Sequence, residues 1–308
     1  MSNTNITLLT SLIIILIGYF LKKYQVIKET EGKVLSKVVL YVTFPALIFD
    51  TVSDLEIRYA LVFLPFIPLA FCLLLFSICY VLFRNQPATI KGVLFMAATG
   101  FNIGLFAYPI IEAIWGKEGL QYIAMYDLGN AFAVLGLSYS LGSAFSPQRT
   151  GSKRIDGVYI LKKLVRSVPL VSYVVALLFN IMGLSFPFLI NNVIGAVARA
   201  NMAMVLLLLG IYLNFRLDKT FIKQLYSILF VKFGLALLIG ITLFYILPFD
   251  KLYRTIVLIA LILPVGLTVI PFSDEFGYNT RFAGAIANIS ILISFVLMWG
   301  LIMVFNLA

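Results

Sequence analysis

Five polar residues interrupt long apolar runs and could take part in binding chemistry: Asn102, Asp127, Asn130, Thr268 and Asn288. Asp127 and Asn130 are three residues apart and therefore share one face of a helix. If that face meets Asn102, the three polar groups form one cluster. Asp127 would then be a proton- or cation-responsive group of a binding site. The alternative is that it accepts hydrogen bonds from backbone N–H groups freed by a nearby helix break.

Two short segments mark such breaks, one in each half of the chain. Asn102–Pro109 reads NIGLFAYP and Pro264–Pro271 reads PVGLTVIP, with Gly, Leu and Pro coinciding at a constant offset of 162 residues. Downstream, a glycine precedes Asp127 by eleven residues and another precedes Asn288 by eleven. The residues assigned to the predicted substrate site are Asn102, Gly104, Asp127, Asn130, Pro264, Gly266, Thr268 and Asn288, with Pro109 and Pro271 as the helix breaks.

Glycine and proline within an apolar helix free backbone groups that lipid cannot satisfy, so such breaks survive only where protein or a wet cavity surrounds them. Two broken helices that cross would point the positive ends of half-helices at a bound anion. The alternative is that Gly100 and Gly104 form a GxxxG packing face and that Pro109 is a tolerated kink.

The composition requires a membrane setting for these segments. Hydrophobic residues make up 62% of the 308 residues and charged residues 12%, against about 45–50% and about 25% in soluble proteins. This excludes a soluble enzyme, a secreted disulfide module and a nucleic-acid binder. Cys72 and Cys79 are seven residues apart, too far along a helix for a disulfide, and histidine is absent. We therefore expect no cofactor, no metal site and no nucleic-acid partner. The first apolar run lacks the marks of a cleaved signal peptide.

The apolar runs are continuous and predict helices rather than barrel strands. The seventh run has two readings, because 187–196 is either an interfacial lead-in or the outer part of a long tilted span. The ten predicted spans are Ile6–Leu21, Val34–Val52, Ala60–Phe83, Val93–Trp115, Leu120–Ser143, Ser167–Met182, Val197–Phe215, Tyr226–Leu247, Thr255–Phe272 and Ala283–Phe305.

The positions of lysine and arginine predict the orientation. Sixteen lie in one set of alternate loops and four in the other, so the positive-inside rule places both termini outside the cytoplasm. Lys37, Arg199 and Lys232 fall within or at the edges of spans. We expect Lys37 and Lys232 to extend to the cytoplasmic interface, with their stems in the apolar layer. Arg199 either anchors the outer surface or contributes charge to an outward vestibule.

The only long polar stretch divides the chain into two halves of five helices. We predict a first repeat at 1–145, a basic cytoplasmic linker at 146–166 and a second repeat at 167–308. An odd number of crossings inverts the second half relative to the first, as in many secondary transporters. Asn201 in helix seven, with Thr43 and Pro45 as its counterpart in helix two, is a weaker candidate for the site.

At this point the residues resemble a known family. The run Ala97–Trp115, followed by GKEGL and YDLGN, resembles the auxin efflux carrier family in its prokaryotic branch, and ANMAMVLLLLGIYL and LPVGLTVIP are similar to its second half. The resemblance covers essentially the whole chain. It implies an all-α membrane protein of ten helices in two inverted repeats, with helices four and nine broken and crossing, related in fold to bile acid/sodium symporters.

The same resemblance implies substrates that carry carboxylates: auxin in plants, malate or malonate among bacterial members. It matches Asn102 to the family's substrate-contacting asparagine, with Pro109, Pro264 and Pro271 at crossover breaks. Met202 stands where many members have proline, which leaves a break in helix seven open.

The sequence thus predicts a secondary carrier of a small organic anion in the cell membrane rather than an enzyme. No P-loop, potassium-filter or arginine-ladder pattern occurs. Helices three to five and eight to ten would move, elevator-like, against helices one, two, six and seven. The alternatives are a sodium-coupled symporter of the bile-acid type, a membrane receptor that binds without transport, and a passive channel. Coupling to H⁺ or Na⁺, contacts with membrane lipid and assembly as a homodimer are kept as expectations.

Overall fold

The computed structural model describes residues 3–53, 55, 59–148, 157–214 and 219–307. This part of the chain consists of helices joined by short turns, and its one β-type pairing is an isolated bridge between Phe101 and Val265. In chain order the helices are α1 (Asn3–Lys23), α2 (Glu29–Val38), α3 (Phe44–Val52), α4 (Tyr59–Phe63), α5 (Phe66–Phe83), α6 (Ala88–Ala98), α7 (Tyr108–Phe132), α8 (Tyr139–Ala144), α9 (Gly157–Arg166), α10 (Val168–Ile181), α11 (Phe188–Tyr212), α12 (Ile222–Ile246), α13 (Lys251–Leu261), α14 (Val269–Glu275) and α15 (Thr280–Phe305).

Six helical stretches in the described residues are long and apolar enough to cross a membrane, and a seventh is counted if the bent pair α9–α10 is one span. The six match the predicted first, second, third, seventh, eighth and tenth spans. They are Thr4–Lys23, Thr30–Val52, Tyr59–Phe83, Phe188–Tyr212, Ile222–Ile246 and Thr280–Phe305. The predicted fourth, fifth and ninth spans are made of shorter helices separated by breaks or π-helical turns, and α7 itself is interrupted by a kink at Gly116, whose backbone is not helical. The protein is a polytopic α-helical membrane protein, and the count of ten crossings stays a prediction.

Large apolar side chains cover much of the outer surface of these helices. Phe188, Phe230 and Val304 are each about four-fifths exposed. A water-soluble monomer seldom exposes contiguous apolar surface on this scale. Lipid is the solvent in which such side chains are stable.

Two of the three π-helical turns come directly before a proline. Val39–Thr43 precedes Pro45, and Ile103–Ala107 precedes Pro109. Proline has no N–H and its ring clashes with the carbonyl four residues earlier. A π-helical turn widens the backbone at that carbonyl. Each proline therefore lies in the first turn of the helix that follows, where its missing donor is tolerated.

The helices pack in two groups. In the first, α1 packs along α11, and α11 and α10 both pack against α3. Gly18 and Gly210 allow the α1–α11 backbones to touch, since a Cβ at either position would overlap the facing main chain. In the second group, α5 contacts α6 and α7, α12 contacts α13, and α15 contacts α14 and α6. The α7 helix also contacts α1, α3 and α11, and so joins the two groups.

The structure resolves two points about the second half. The helix α11 runs unbroken from Phe188 to Tyr212, so Met202 marks no break, and 188–196 is part of the helix rather than a lead-in. Within the predicted linker, 149–156 lies outside the described residues. Its last part, Gly157–Arg166, forms the helix α9, which is bent by 68° from α10. Exposed apolar residues and basic residues alternate along α9, a pattern typical of a helix that lies in a membrane interface.

Candidate functional site

The two predicted breaks lie against each other and pair through their backbones. The α6 helix ends at Ala98, and the chain then leaves helical geometry until Ile103, while α13 ends at Leu261 and α14 begins at Val269. Phe101 and Val265 form an antiparallel bridge. The N–H of Asn102 donates to the carbonyl of Pro264 over 2.9 Å, and the N–H of Gly266 donates to the carbonyl of Gly100 over 3.4 Å. We call this paired region, Gly100–Asn102 with Pro264–Gly266, the crossover.

Gly100 is required by the backbone of the crossover. Its φ is +114°, which L side chains rarely adopt, and a Cβ there would lie 2.6 Å from a methyl group of Val134. Gly104 has more room, since a Cβ there would make an ordinary contact of 3.6 Å with Phe44. Because Gly100 is not helical, the pair does not form the GxxxG helix-packing face that was the alternative prediction.

The side chain of Asn130 satisfies the freed backbone of Phe101 on both sides. Its Oδ1 accepts from the Phe101 N–H over 2.8 Å, and its Nδ2 donates to the Phe101 carbonyl over 3.2 Å. An amide offers both a donor and an acceptor, so this one side chain provides partners for both the backbone N–H and the carbonyl of Phe101. Asn130 thus stabilises the first break.

Asp127 is buried and receives two side-chain hydrogen bonds. Nδ2 of Asn130 donates to Oδ1 over 3.0 Å, and the hydroxyl of Tyr173 donates to Oδ2 over 2.8 Å. Tyr173 belongs to α10 and its hydroxyl also pairs with that of Tyr108. The freed N–H of Phe101 is taken by Asn130, so Asp127 supports the break through Asn130. Asp127 also connects α7 to the other group of helices.

The residues Asn102, Asp127 and Asn130 are brought together as the sequence predicts, and Asn102 has an unused donor. Its side chain is 5% exposed. Its Nδ2 is buried and has no hydrogen-bond partner among the described residues. A buried amide N–H without a partner costs about 1–3 kcal/mol. The cost is removed when a ligand or water accepts from it.

In the second half, Ser290 supports the break as Asn130 does in the first. Its hydroxyl accepts from the N–H of Val265 over 2.9 Å and donates to the carbonyl of Ala287 over 2.6 Å. Asn288, the predicted counterpart of Asp127, instead donates through Nδ2 to the carbonyl of Gly284 within its own helix. Its Oδ1 is buried and lacks a partner in the described part of the chain. The polar support of this break therefore comes from Ser290, together with Ser294, whose hydroxyl donates to the carbonyl of Ile262 over 2.8 Å.

The remaining predicted residues of the second half lie at or just after the crossover. Pro264 supplies the carbonyl that Asn102 binds. At Gly266 a Cβ would lie 3.5 Å from the Phe101 carbonyl and 3.2 Å from the hydroxyl of Thr268. Thr268 is half-buried and directly precedes α14. Pro271 is the third residue of α14, where an N–H is not needed.

Lys232 corrects a prediction. We expected it to extend to the cytoplasmic interface, yet its side chain is 0% exposed and its Nζ lies 4.2 Å from the centre of the Phe101 ring. The side chain points from α12 toward α5, where Cys72 and Cys79 are among its neighbours. Lys37, in contrast, is exposed. A run of apolar residues on both sides of Lys232 does not reveal which way it points.

A cavity of about 440 Å³ lies between the two groups of helices. Its basic side chains come from α9 and its apolar wall from α10, α14 and the π-helical turns. Lys163 at its edge forms an ion pair of 3.1 Å with Glu275, and its ammonium lies 3.4 Å from the Tyr139 ring centre. The lining residues are Leu40, Tyr41, Leu135, Tyr159, Lys162, Lys163, Arg166, Ser167, Val168, Pro169 and Phe272. We call this the basic cavity.

The weaker pair of candidates also meets. The hydroxyl of Thr43 donates to Oδ1 of Asn201 over 2.8 Å, and Asn201 is fully buried. Thr43 lies on the π-helical turn before Pro45 and Asn201 lies in the unbroken α11. This bond joins two helices of the same packing group.

The chain is similar to known membrane transport proteins. Residues 5–151 match the model of a family described as membrane transport protein. An uncharacterized transporter of Methanothermobacter thermautotrophicus is 31% identical over 214 residues, which are 68% of this chain and 68% of the relative. An uncharacterized transporter of Methanocaldococcus jannaschii is 28% identical over 213 residues, 66% of this chain and 67% of the relative. The chain belongs to the membrane transport protein family.

This is the family of the auxin efflux carriers, so the resemblance found in the sequence is confirmed. The stretch that matches the family model contains Asn102, Asp127 and Asn130. For this membrane transport protein, the crossover and its polar supports are the candidate site.

Three contributors to the site were missed in the sequence. Ser290 stands 160 residues after Asn130 rather than 162, a small shift that a search at one fixed offset passes over. Tyr173 lies in a span with no charged residue or helix-break motif, and its contact with Asp127 depends on how α10 packs. Lys232 was noticed, but its direction depends on the rotation of α12.

Proposed function

We propose that the protein is a secondary active transporter that moves a small organic anion, a mono- or dicarboxylate, across the cell membrane. Membership of a membrane transport family supports transport itself. The observation that carries the choice of an anion is the unpartnered, buried donor of Asn102 at the crossover. A carboxylate accepts hydrogen bonds and donates none, so it complements such a donor.

The proposal includes ten crossings in two inverted five-helix repeats, with both termini outside. Two features of the backbone support the repeat. Gly116 and Gly277, 161 residues apart, both adopt positive φ, at +60° and +74°. Asn130 and Ser290 each accept from the freed N–H of the residue at the centre of a break. Corresponding turns and corresponding supports are what an internal duplication leaves behind.

Transport would proceed by an elevator movement of one group of helices against the other. The helices α5–α8 and α12–α15 would carry the crossover, while α1–α3, α10 and α11 would stay fixed. The contact between Asp127 on α7 and Tyr173 on α10 crosses this boundary. A sliding movement would break that hydrogen bond and leave the carboxylate to be protonated or to bind a cation. This supports a gating or coupling role for Asp127, with H⁺ or Na⁺ as the coupling ion.

The basic cavity supports an approach route for an anion. It is lined by both groups of helices and carries Lys162, Lys163 and Arg166. Clustered charge of one sign concentrates oppositely charged solutes near a site. We propose that this cavity opens to the cytoplasm, since these residues belong to the most basic loop of the chain.

The test is a thermal-shift screen of the purified full-length protein against mono- and dicarboxylates, including indole-3-acetate, malate and malonate, with and without Na⁺. A ligand at 100 times its Kd stabilises the folded state by about 2.7 kcal/mol. Asn102→Ala should lose the shift, whereas Asn191→Ala, which alters an exposed asparagine on α11, should keep it. Counterflow of the same carboxylate in proteoliposomes then distinguishes a carrier from a receptor.

Each alternative has its own outcome. Transport that disappears without Na⁺ selects the sodium-coupled symporter. Saturable binding without counterflow selects a receptor, and unitary currents select a channel. If no carboxylate stabilises the wild-type protein under any of these conditions, the organic-anion proposal is wrong.

A further inference from the structure

Lys232 has an unusual environment for a lysine. Its side chain is fully buried and its Nζ has no hydrogen-bond partner among the described residues. A lysine near a membrane surface normally extends to water. The titratable groups next to Lys232 are the uncharged thiols of Cys72 and Cys79, and Asp127 receives its hydrogen bonds from Asn130 and Tyr173 instead. The ammonium thus has no carboxylate to neutralise it.

An aromatic ring of the crossover lies close to this ammonium. Nζ of Lys232 lies 4.2 Å from the centre of the Phe101 ring, within the range of a cation–π interaction. Phe101 is the residue that bridges to Val265 in the other break. The π face attracts the positive charge but uses none of the three N–H donors of the ammonium as a full hydrogen bond.

One other unused donor adjoins the same ring, and another belongs to the next residue of the crossover. Tyr126 is fully buried, its ring centre is 6.0 Å from that of Phe101, and its hydroxyl has no partner in the described residues. Asn102 follows Phe101 in the chain and its Nδ2 is buried and unpartnered. The crossover is therefore bordered by an ammonium, a phenol hydroxyl and an amide. The ammonium can only donate, whereas the amide and the phenol can each donate and accept.

We propose that Lys232 is the positively charged group that binds the carboxylate of the substrate, with Tyr126 and Asn102 as neighbouring hydrogen-bond donors. This inference rests on the proposed function as an organic-anion carrier. It names the group of the protein that recognises the negative charge of the substrate. Cation, phenol and amide together favour a carboxylate over its neutral amide, because only the carboxylate compensates the buried charge.

The experiment compares binding of acids with binding of their neutral amides. The probes are indole-3-acetate with indole-3-acetamide and malonate with malonamide, measured by calorimetry and thermal shift on the full-length protein. For the pair whose acid binds, the wild-type protein should bind the acid more tightly than the corresponding amide. Lys232→Met should weaken acid binding at least tenfold and leave amide binding nearly unchanged, so that the preference disappears.

Three further variants keep the result interpretable. Lys37→Met removes an exposed lysine and should bind as wild type does. Lys232→Arg keeps the charge and should retain part of the acid preference. Tyr126→Phe removes only a hydroxyl and should weaken acid binding about 2- to 12-fold, as expected for one hydrogen bond. If Lys232→Met does not fold, the arginine and phenylalanine variants still test the proposal.

The outcomes separate the two proposals. If wild type binds a carboxylate and Lys232→Met binds it equally well, Lys232 has only a structural role and this inference is wrong, while the proposed function stands. If Lys232→Met is unfolded and both Lys232→Arg and Tyr126→Phe bind as wild type does, the inference is likewise wrong. If wild type binds no carboxylate, both proposals fail.

Discussion

Replacing Asn130 by leucine tests whether the crossover depends on side-chain support. The substitution keeps the approximate shape and removes three hydrogen bonds: to the N–H of Phe101, to its carbonyl, and to Asp127. Polar pairs within membrane proteins average about 0.6 kcal/mol each, which gives a lower value of about 2 kcal/mol. Two buried backbone groups left without partners cost about 1–3 kcal/mol each, which raises the upper value to about 6 kcal/mol.

We therefore expect Asn130→Leu to lower the free energy of unfolding by about 2–6 kcal/mol. The assay is reversible unfolding of the purified protein in mixed micelles, followed by circular dichroism. Ser290→Ala leaves one backbone donor, the N–H of Val265, without a partner. It should lower the free energy of unfolding by about 1–3 kcal/mol. Asn191→Ala, at an exposed site on α11, should change little. A value for Asn130→Leu within about 0.5 kcal/mol of wild type, the usual range for surface changes, would refute the reasoning.

Three further changes test other parts of the site. Tyr173→Phe removes the hydrogen bonds to Asp127 and Tyr108 and should change the pH dependence or the ion dependence of transport, measured as carboxylate counterflow, while stability falls by about 1–3 kcal/mol. If the pH and ion dependence of transport is unchanged, Asp127 does not control gating. Gly100→Ala, at φ +114°, should destabilise the protein by about 1–3 kcal/mol in the same unfolding assay. Gly136→Ala should not, because a Cβ there meets no atom within 4 Å. Equal effects of the two changes would contradict the requirement for glycine at position 100. Lys163→Ala should slow uptake more at low than at high salt, since added ions screen its charge; a loss that does not depend on salt would speak against electrostatic attraction.

Most of the fold could be predicted from residue types because its elements obey local rules. Continuous apolar runs predicted the spans that the structure contains at Thr4–Lys23, Phe188–Tyr212 and Ile222–Ile246. Glycine and proline in the fourth and ninth runs predicted interruptions, and the chain leaves helical geometry at both. The length of the unbroken α11 was left open, since Met202 permits a helix but does not require one.

The site was predictable where chemistry follows from spacing along one helix. Asp127 and Asn130, three residues apart, do share a face and a hydrogen bond. Contacts between helices were not predictable in the same way. Tyr173 reaches Asp127 from α10, and Lys232 reaches Phe101 from α12. Both depend on the rotation of one helix against another, which a single sequence does not specify.

The two halves support their breaks unequally, and the hydrogen bonds explain why. In the first half, the N–H and the carbonyl of Phe101 are both freed, so an amide that donates and accepts is needed, and Asn130 provides it. In the second half, Pro264 has no N–H and its carbonyl is taken by the N–H of Asn102. Two separate hydroxyls then provide the support, since Ser290 accepts from the N–H of Val265 and Ser294 donates to the carbonyl of Ile262.

This pairing decides which groups remain for a ligand. The named backbone donors of the crossover, at Phe101, Asn102, Val265 and Gly266, already have partners within the protein. Side-chain donors such as Nδ2 of Asn102 do not, within the described residues. A substrate at the paired residues of the crossover would therefore meet side-chain donors, and the helix N-termini that follow the crossover stay the predicted second source of donors. Changes of substrate between relatives should then arise from side-chain substitutions beside Phe101, with the backbone pairing of the crossover left intact.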